Sequence, residues 1–412
     1  MCSFLFTGGR FLDARAGVVK DGIDVLVEGD RIKEVSETPI KSASAQRVDL
    51  GGKVIMPGLI DAHIHIFLSE VNIQHLAGVP LTLLAAKAGV LMRDMLMRGF
   101  TSVRDTAGGD WGMQIASDTG LVDGPRLFIS GMAISQTGGH GDFRHRTQTE
   151  IECNCCSGLT YTTRIVDGVP EMIKAVRDEL RKGANQIKIM VSGGVASQSD
   201  PLDSLQFRLD EISAAVEEAT NWGSYVAAHA YSAEAVKRAV GQGVRSIEHG
   251  NLMDQAAVDL MKEKGAFLVP TLVAYDSMRR RGKDFGLTDY SLAKNDVVLE
   301  AGLRSLDMCR KAGVPICYGS DLLGQLQDDQ SREFLIRRDV MPAMEIIQSA
   351  TTVNAKLVQK DGELGELVAG AYADLLVVDG DPSQDLNLLQ DQGAHLSAIM
   401  KGGRFYKNRL GA

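Results

Sequence analysis

Eight short apolar runs alternate with helical patterns through the middle of this chain, and the alternation limits the folds that it can adopt. The runs are LIDAHIHIF, FTSVRDTA, RLFISGMAIS, QIKIMVS, SYVAAHA, RSIEHG, AFLVPTL and VPICYGSD. Apolar strands separated by helices are typical of parallel pairing with crossover helices. Helix signals lie between them: in AYSAEAVKRAVGQG, Ser232 is a good N-cap residue. Eight such units predict an α/β fold, a closed (β/α)₈ TIM barrel.

The two ends of the chain have a different pattern of short strands and turns. FLFTGGRFLDA and DVLVEGDRIKEV stand near the start, and ADLLVVDGDP and LSAIMKGGRFYKN stand near the end. Because the termini of a domain often lie close together, we predict one small β-sandwich domain built from both chain termini. The expected boundaries are 1–57 and 363–412 for the sandwich and 58–362 for the barrel, which suits a chain of 412 residues.

Charge and apolar segments exclude several classes of partner. With 44 Lys and Arg against 53 Asp and Glu, the net charge is -9, and no basic run is present. Nucleic acid is therefore not expected as a partner. The first residues, MCSFLFTGGR, do not resemble a secretory signal, and no stretch approaches a membrane span in length. We expect a cytoplasmic protein that makes no contact with a membrane.

Six cysteines are present, and three of them form the motif CNCC (Cys153, Cys155 and Cys156). A zinc ribbon needs a second matching pair, and none lies nearby. The motif is interpreted as free thiols on a long loop, with a metal site or a redox switch as the alternatives. The remaining cysteines are expected to fill the core as small apolar residues. They are Cys2, Cys309 and Cys317.

Polar residues that can carry chemistry stand where the predicted strands end. In a (β/α)₈ barrel this edge holds the active site. Four of the eight histidines are among them, and a fifth, His140, follows the third strand in a long irregular region, roughly 136–168. A lone histidine on an apolar strand is usually a core residue, whereas five at one barrel mouth predict a metal site, because neutral imidazole is a common ligand for zinc-type metals. The strand-end residues are His63 and His65 on the first strand, Lys188 on the fourth, His229 on the fifth, His249 on the sixth and Asp321 on the eighth.

Lys188 lies between isoleucines in a strand that should be buried. Its amine could extend to the barrel mouth or pair with Asp321. The alternative is chemical: beside two divalent cations, burial and like charge lower the pKa of a lysine. A neutral amine adds carbon dioxide to give a carbamate, and this N6-carboxylysine would bridge two metals as a carboxylate does.

We therefore predict a binuclear centre of two divalent cations. Histidine, carboxylate and carbamate ligands suit zinc, with manganese, cobalt and iron as the alternatives. Water between the metals would become hydroxide near neutral pH. Asp321 would accept its proton and pass it to the leaving group as general base and acid. The predicted ligands are His63, His65 and Asp321 for the first metal, His229 and His249 for the second, and carboxylated Lys188 for both.

This set of residues resembles the pattern of the amidohydrolase superfamily, which has His-x-His after strand one, a lysine on strand four, histidines on strands five and six, and an aspartate on strand eight. Within the superfamily, the chain resembles the bacterial prolidase-type (Xaa-Pro) dipeptidases, close to the imidazolonepropionase-like group. The segments that carry this likeness are SQTGGHGD, QIKIMVSGGVAS, AAHAYS, SIEHGN, VPTLVAYDS and GSDLLG. The resemblance covers essentially the whole chain. It implies the barrel with its terminal sandwich, a small-molecule substrate and a homo-oligomer.

The resemblance also implies two substrate-binding residues. A histidine matching His140 polarises the scissile carbonyl, and a tyrosine matching Tyr231 contacts the substrate carboxylate. Tyr231 can face the same cavity as His229 if the strand persists that far; otherwise it covers a helix start. His140, set among glycines, can approach the metals or merely order its loop. Arg144 and Arg146 are either a carboxylate clamp or part of a solvated turn.

The predicted function is that of a metal-dependent amidohydrolase or dipeptidase. The resemblance implies a small amide with a free carboxylate as its substrate, an Xaa-Pro dipeptide or an N-acyl-proline. The same chemistry on dipeptides ending in arginine or lysine, on ochratoxin-type amides or on a cyclic amide is the alternative. Asp142, Asp200 and Asp203 could form the acidic pocket that a basic leaving group needs. An alternative of another class is a non-catalytic barrel scaffold, against which the filled ligand positions argue.

Overall fold

The computed structural model describes residues 3–145, 147–148, 160–197 and 200–410. The strands within these residues are β1 (Ser3–Thr7), β2 (Arg10–Asp13), β3 (Val18–Asp21), β4 (Asp24–Glu28), β5 (Arg31–Ser36), β6 (Gln46–Asp49), β7 (Val54–Pro57), β8 (Leu59–Ile64), β9 (Phe100–Asp105), β10 (Arg126–Ile129), β11 (Ala133–Ser135), β12 (Thr163–Ile165), β13 (Ile187–Met190), β14 (Val226–Ser232), β15 (Ser246–Leu252), β16 (Phe267–Val269), β17 (Leu375–Val378), β18 (Leu396–Lys401) and β19 (Arg404–Asn408).

Helices lie between most of the central strands. The α-helices are α1 (Leu81–Met97), α2 (Trp111–Asp118), α3 (Val169–Arg181), α4 (Leu209–Asn221), α5 (Ala233–Gly241), α6 (Gln255–Lys264), α7 (Leu272–Arg281), α8 (Asp289–Ala312), α9 (Glu333–Arg337), α10 (Ala343–Ser349) and α11 (Thr352–Leu357). Short 3-10 helices span Ile73–Gly78, Gly282–Phe285, Gly324–Arg332, Leu386–Leu389 and Asp391–Gly393. Across the described ranges, no helix combines the length and the apolar character needed to cross a bilayer.

The central strands form two parallel sheets, one of three strands in the order β10-β9-β8 and one of six in the order β12-β11-β13-β14-β15-β16. Their register aligns the residues that end them. Met190 of β13 lies opposite His229 of β14, and Ala230 of β14 lies opposite His249 of β15. Parallel pairing therefore brings the carboxyl ends of these strands to one edge.

Backbone hydrogen bonds connect the two parallel sheets. On one side, the Asn185 N–H donates to the Ile129 carbonyl at 2.7 Å. On the other side, residues 316–318 lie between β16 and β8. There the Cys317 N–H donates to the Leu268 carbonyl, and the Ala62 N–H donates to the Tyr318 carbonyl, both at 2.8 Å.

Two of the eight predicted strands differ from the expectation. RLFISGMAIS forms β10 and β11, separated where Gly131 takes a left-handed φ of 65°, which interrupts an extended strand. VPICYGSD makes only an isolated bridge between Leu268 and Ile316. Pro315 explains part of this, because it has no N–H to donate to a ladder. The N-cap prediction is confirmed: the Ser232 hydroxyl accepts the Ala235 N–H at the start of α5.

The terminal segments form two further sheets. One has the order β5-β4-β1-β6, and the other, β19-β18-β17-β7-β2-β3, joins strands from both ends of the chain. β17 is antiparallel to β7 and has two apolar faces. Leu375 and Val377 lie in a buried cluster with residues of both terminal sheets, whereas Leu376 and Val378 join the large central cluster. The alternation of side chains along one strand therefore links the two cores.

Cys309 and Cys317 are buried free thiols, as expected of core fillers. Cys2 and the CNCC motif lie outside the described residues. The homo-oligomer and the cytoplasmic location stay predictions.

Candidate active site

One cavity at the carboxyl edge of the parallel strands is lined by all eight residues proposed from the sequence. β8, β13, β14 and β15 each contribute from or just beyond their ends, and Asp321 follows the 316–318 segment. Apolar side chains make much of the remaining wall, which includes Leu68, Phe143, Val195 and Met278. The eight residues are His63, His65, His140, Lys188, His229, Tyr231, His249 and Asp321.

Asp321 is the centre of the donor cluster. Its Oδ1 lies 2.9 Å from Nε2 of His65 and 3.3 Å from Nε2 of His63, and its Oδ2 lies 3.8 Å from Nδ1 of His249. Ligand atoms of His63, His249 and Asp321 all lie within 4.8 Å of one another, which is compatible with a shared metal ion. The His229 ring is 4.6 Å from that of His249, so a second group of donors adjoins the first.

The protonation states of this cluster suit a cation. Burial, together with neighbouring His140, His249 and Lys188, holds the pKa of His229 well below its usual value. Burial likewise lowers the pKa of His249, and it lowers that of Lys188 to about 8. Although burial favours the protonated acid, the adjacent histidines hold the pKa of Asp321 well below its usual range. Neutral imidazoles at His229 and His249 and an ionised carboxylate at Asp321 are the forms that bind divalent metals, so these residues fit a metal site. At His63, burial opposes protonation, but neighbouring Asp321 and Glu248 raise the pKa of the ring.

A buried carboxylate behind His63 was missed from the sequence. Glu248 Oε2 lies 2.7 Å from Nδ1 of His63, and Arg104 Nη2 donates to both oxygens of Glu248 at 2.8 Å. All three side chains are buried. A carboxylate on one ring nitrogen fixes the orientation of the ring and leaves the other nitrogen for a metal. The signal available was a charged residue inside an apolar strand run, in RSIEHG and again in FTSVRDTA.

Two donors take unusual backbone conformations. His249 has a φ of 78° and Asp321 a φ of 51°, in the left-handed region that residues other than glycine rarely adopt. Such conformations cost roughly 1–3 kcal/mol each and cluster at functional sites. The backbone at both strand ends is therefore held where extended geometry would not place these side chains.

Tyr231 lies within β14, so the strand persists past His229, and its side chain faces the cavity. Its hydroxyl is 3.0 Å from the hydroxyl of Tyr275, a cavity residue that the sequence did not single out. Tyr275 in turn lies 2.9 Å from Nδ1 of His249. The ring of His140 stacks on that of His229 with centroids 4.3 Å apart. The long loop thus reaches the cluster.

The charged loop residues do not form an acidic pocket. Arg144 makes a bidentate ion pair with Asp142, at 2.6 and 2.8 Å. Asp200 is buried against His140, 3.6 Å from its Nδ1, and Asp203 is exposed. Arg146 lies outside the described residues. Among the described residues that line the cavity, Asp321 is the one carboxylate.

Known proteins resemble the chain over nearly its full length. An ochratoxinase from Aspergillus niger is 32% identical over 367 residues, which cover 86% of this chain and 76% of that protein. A crystal structure of a prolidase complexed with N-methylphosphonate-L-proline is 47% identical, with a TM-score of 0.96 over 98% of this chain and 100% of the other. A crystal structure of a Xaa-Pro dipeptidase with bound methionine is 30% identical, with a TM-score of 0.87 over the same shares.

The amidohydrolase family model matches residues 54–404, which include the strands, the connecting helices and every donor of the cluster. Metal ions are typical of this family, in agreement with the donor set described above. The chain therefore belongs to the amidohydrolase family and is a hydrolase that acts on amide bonds.

Proposed function

We propose that the chain is a binuclear metallohydrolase that removes a C-terminal proline from small amides, in Xaa-Pro dipeptides or N-acyl-prolines. The support for proline is the wall of the cavity. Asp321 is its one carboxylate among the described lining residues, and the wall beside Tyr231 contains Val195 and Met278. An arginine or lysine leaving group would need an acidic partner, whereas a proline ring needs apolar surface. The 47% identical prolidase, complexed with a proline phosphonate, agrees with this choice.

The proposed framework has three parts. Residues 58–362 form a (β/α)₈ barrel, and residues 1–57 and 363–412 form a β-sandwich domain. The hydrogen bonds of Asn185, Cys317 and Ala62 between the two parallel sheets support a closed ring of strands. The apolar cluster common to both terminal sheets supports the sandwich.

The proposed centre holds two divalent cations, with zinc favoured by the ligand types. When bound, the cations polarise the scissile carbonyl and lower the pKa of a water. Lys188, whose pKa burial lowers to about 8, has a larger neutral fraction than an exposed lysine and is suited to carboxylation. The proposed ligands are His63, His65 and Asp321 for one cation, His229 and His249 for the other, and carboxylated Lys188 for both.

Each remaining residue has a proposed role toward the substrate. Asp321 accepts a proton from the attacking water at a carboxylate oxygen and delivers it to the departing nitrogen. His140 donates to the carbonyl oxygen as negative charge develops there. The Tyr231 hydroxyl donates to the substrate carboxylate and holds the leaving group in place. The apolar wall excludes bulk water from the reacting atoms.

The test is a set of matched substrates. The protein is loaded with zinc and bicarbonate, and kcat/KM is measured for dipeptides that share one N-terminal residue and end in proline, arginine, lysine or phenylalanine. An ochratoxin-type amide is included because the Aspergillus niger ochratoxinase is 32% identical. We expect the proline dipeptide to be preferred. Preference for a dipeptide that ends in a basic or aromatic residue would reject proline as the leaving group but would agree with the proposed metal chemistry. A purified chain that takes up no metal would favour the non-catalytic barrel scaffold.

A further inference from the structure

A buried carboxylate lies behind His140 without lining the cavity. His140 Nδ1 is 3.1 Å from the Ser197 hydroxyl oxygen and 3.6 Å from Oδ2 of Asp200, and Ser197 in turn hydrogen-bonds Asp200. Asp200 is only 3% exposed. His140 itself lines the cavity, whereas Asp200 does not. The Asp200 carboxylate can therefore affect a bound substrate only through the His140 ring.

The ring and the carboxylate are attached to the same rigid surroundings. Asp200 Oδ2 accepts hydrogen bonds from the Gly194 N–H and from Nε2 of Gln206, both at 3.1 Å, and Oε1 of Gln206 accepts the His140 N–H at 2.9 Å. Lys294 donates to the Asp200 carbonyl at 2.9 Å. The His140 ring packs against Gly194 so closely that a Cβ there would lie 2.0 Å from Cε1. Little space is left for the ring to turn.

Among the described residues, no lysine or arginine forms an ion pair with the Asp200 carboxylate. Lys294 donates to its backbone carbonyl, and His140 is the described basic side chain within 4 Å of its carboxylate. Burial opposes ionisation, but the contact with His140, together with the charge of Lys294 and a hydrogen bond from Gln206, lowers the pKa of Asp200. A ring that donates from both nitrogens carries positive charge, which a buried carboxylate on one side stabilises.

We propose that Asp200 is a positioning residue for the reaction: the Ser197 hydroxyl accepts the Nδ1–H of His140 and donates to the Asp200 carboxylate, which holds the ring with Nε2–H directed at the scissile carbonyl oxygen. This inference rests on the proposed function. It assigns to Asp200 a part in stabilising the negative charge that develops on the carbonyl oxygen. From the sequence, Asp200 was a candidate for an acidic pocket that binds a basic leaving group. Removing a group that orients a metal-binding histidine typically changes affinity or activity about 10–100-fold, and we expect a loss of similar size for Asp200.

The activity test is a double-mutant cycle on the metal-loaded protein with an Xaa-Pro dipeptide. Asp200→Asn keeps the size of the side chain and should lower kcat about 10–100-fold with little change in KM. In a His140→Gln background the same substitution should cost less than about threefold, because its effect passes through His140. Asp203→Asn, an exposed aspartate three residues along the chain, is the control and should match wild type. Wild-type kcat in Asp200→Asn, or an equal loss in both backgrounds, would overturn the proposal.

A second measurement tests the positioning role of Asp200 without substrate turnover. If wild type hydrolysed no dipeptide, the proposed function would be rejected, but this measurement would still decide the role of Asp200. Proton NMR of the zinc-loaded protein should show a hydrogen-bonded imidazole N–H signal that disappears in His140→Gln. The same signal should be lost or move upfield in Asp200→Asn and Ser197→Ala while Asp203→Asn retains it. A signal unchanged by Asp200→Asn would overturn the positioning role.

Discussion

At the scale of single residues, the cluster depends on one carboxylate that contacts three imidazoles. Asp321 is within 4 Å of ring nitrogens of His63, His65 and His249. Asparagine has the same shape and one oxygen that can still bind a metal, but it cannot accept a proton from water. We expect Asp321→Asn to retain bound metal and to lose about 100-fold or more in kcat. Metal analysis and steady-state kinetics on the same sample measure both effects.

The matched control is Asp289→Asn, an exposed aspartate at the start of α8. It should keep both its metal content and its kcat. If Asp321→Asn turned over at a rate close to wild type, another group would carry the proton.

Lys188 provides a second residue-scale prediction. Its amine is buried in β13, so a carbamate formed there would supply a carboxylate that alanine lacks. We expect Lys188→Ala to lose activity and part of its metal, and acetate or propionate to restore some activity by occupying the space of the missing carboxylate. Chloride at equal ionic strength is the control.

Carbon-13 NMR after growth in labelled bicarbonate tests the same point directly. Wild type should show a carbamate carbon that Lys188→Ala lacks. A wild-type spectrum without this signal, from metal-loaded protein, would rule out the carboxylated lysine.

The sequence predicted the residues of the cavity better than the contacts among them. His63 and Asp321 could be chosen because each is a polar residue at the end of an apolar run, and Lys188 because it is a charged residue between isoleucines. The contact of Glu248 with Arg104 could not be inferred, because it joins side chains 144 positions apart and depends on how β9 and β15 face each other across the interior. Tyr275 was missed for a similar reason, since it lies on α7 and not at a strand end.

At the scale of elements, α5 connects the strand of His229 and Tyr231 to the strand of His249. Its first turn is capped by Ser232, whose hydroxyl accepts the Ala235 N–H at 3.3 Å. Ser232→Ala leaves that donor without its side-chain partner and should lower the free energy of unfolding by about 1 kcal/mol. Urea denaturation followed by circular dichroism measures this change.

Ser232→Thr and Ser232→Asp keep a capping oxygen and should recover most of the lost stability. A Ser232→Ala protein as stable as wild type would show that the cap contributes nothing to α5.

The cap was predictable because it depends on a few adjacent residues. The bridge at Ile316 was not, because it depends on Pro315 and on pairing with distant strands.

At the scale of the whole molecule, the mixed terminal sheet is attached to the central helices through a buried lysine. Lys401, at the end of β18, donates to the carbonyls of Ser117 and Gly124 and to the Ser117 hydroxyl, beside α2. The sequence predicted that both termini build one unit, but nothing local in LSAIMKGGRFYKN indicates where this amine lies. Burial of the Lys401 amine lowers its pKa to about 8, although nearby Asp374 acts in the opposite direction.

This lowered pKa predicts how stability changes with pH. Between about pH 8 and the pKa of an unfolded lysine, near 10.4, the unfolded chain holds the Lys401 proton more tightly than the folded chain does. Raising the pH through this window therefore favours the folded state, and below about pH 8 the contribution is constant. Relative to Lys401→Met, wild type should gain about 1–2 kcal/mol of unfolding free energy between pH 8 and pH 10.

Urea denaturation at both pH values measures the difference, and Lys33→Met, which removes an exposed lysine of β5, controls for the loss of one lysine. If the gap between wild type and Lys401→Met stayed constant or narrowed as the pH rose, the pKa of the amine would not be lowered by folding, and Lys401 would keep its charge in the folded protein through this pH range.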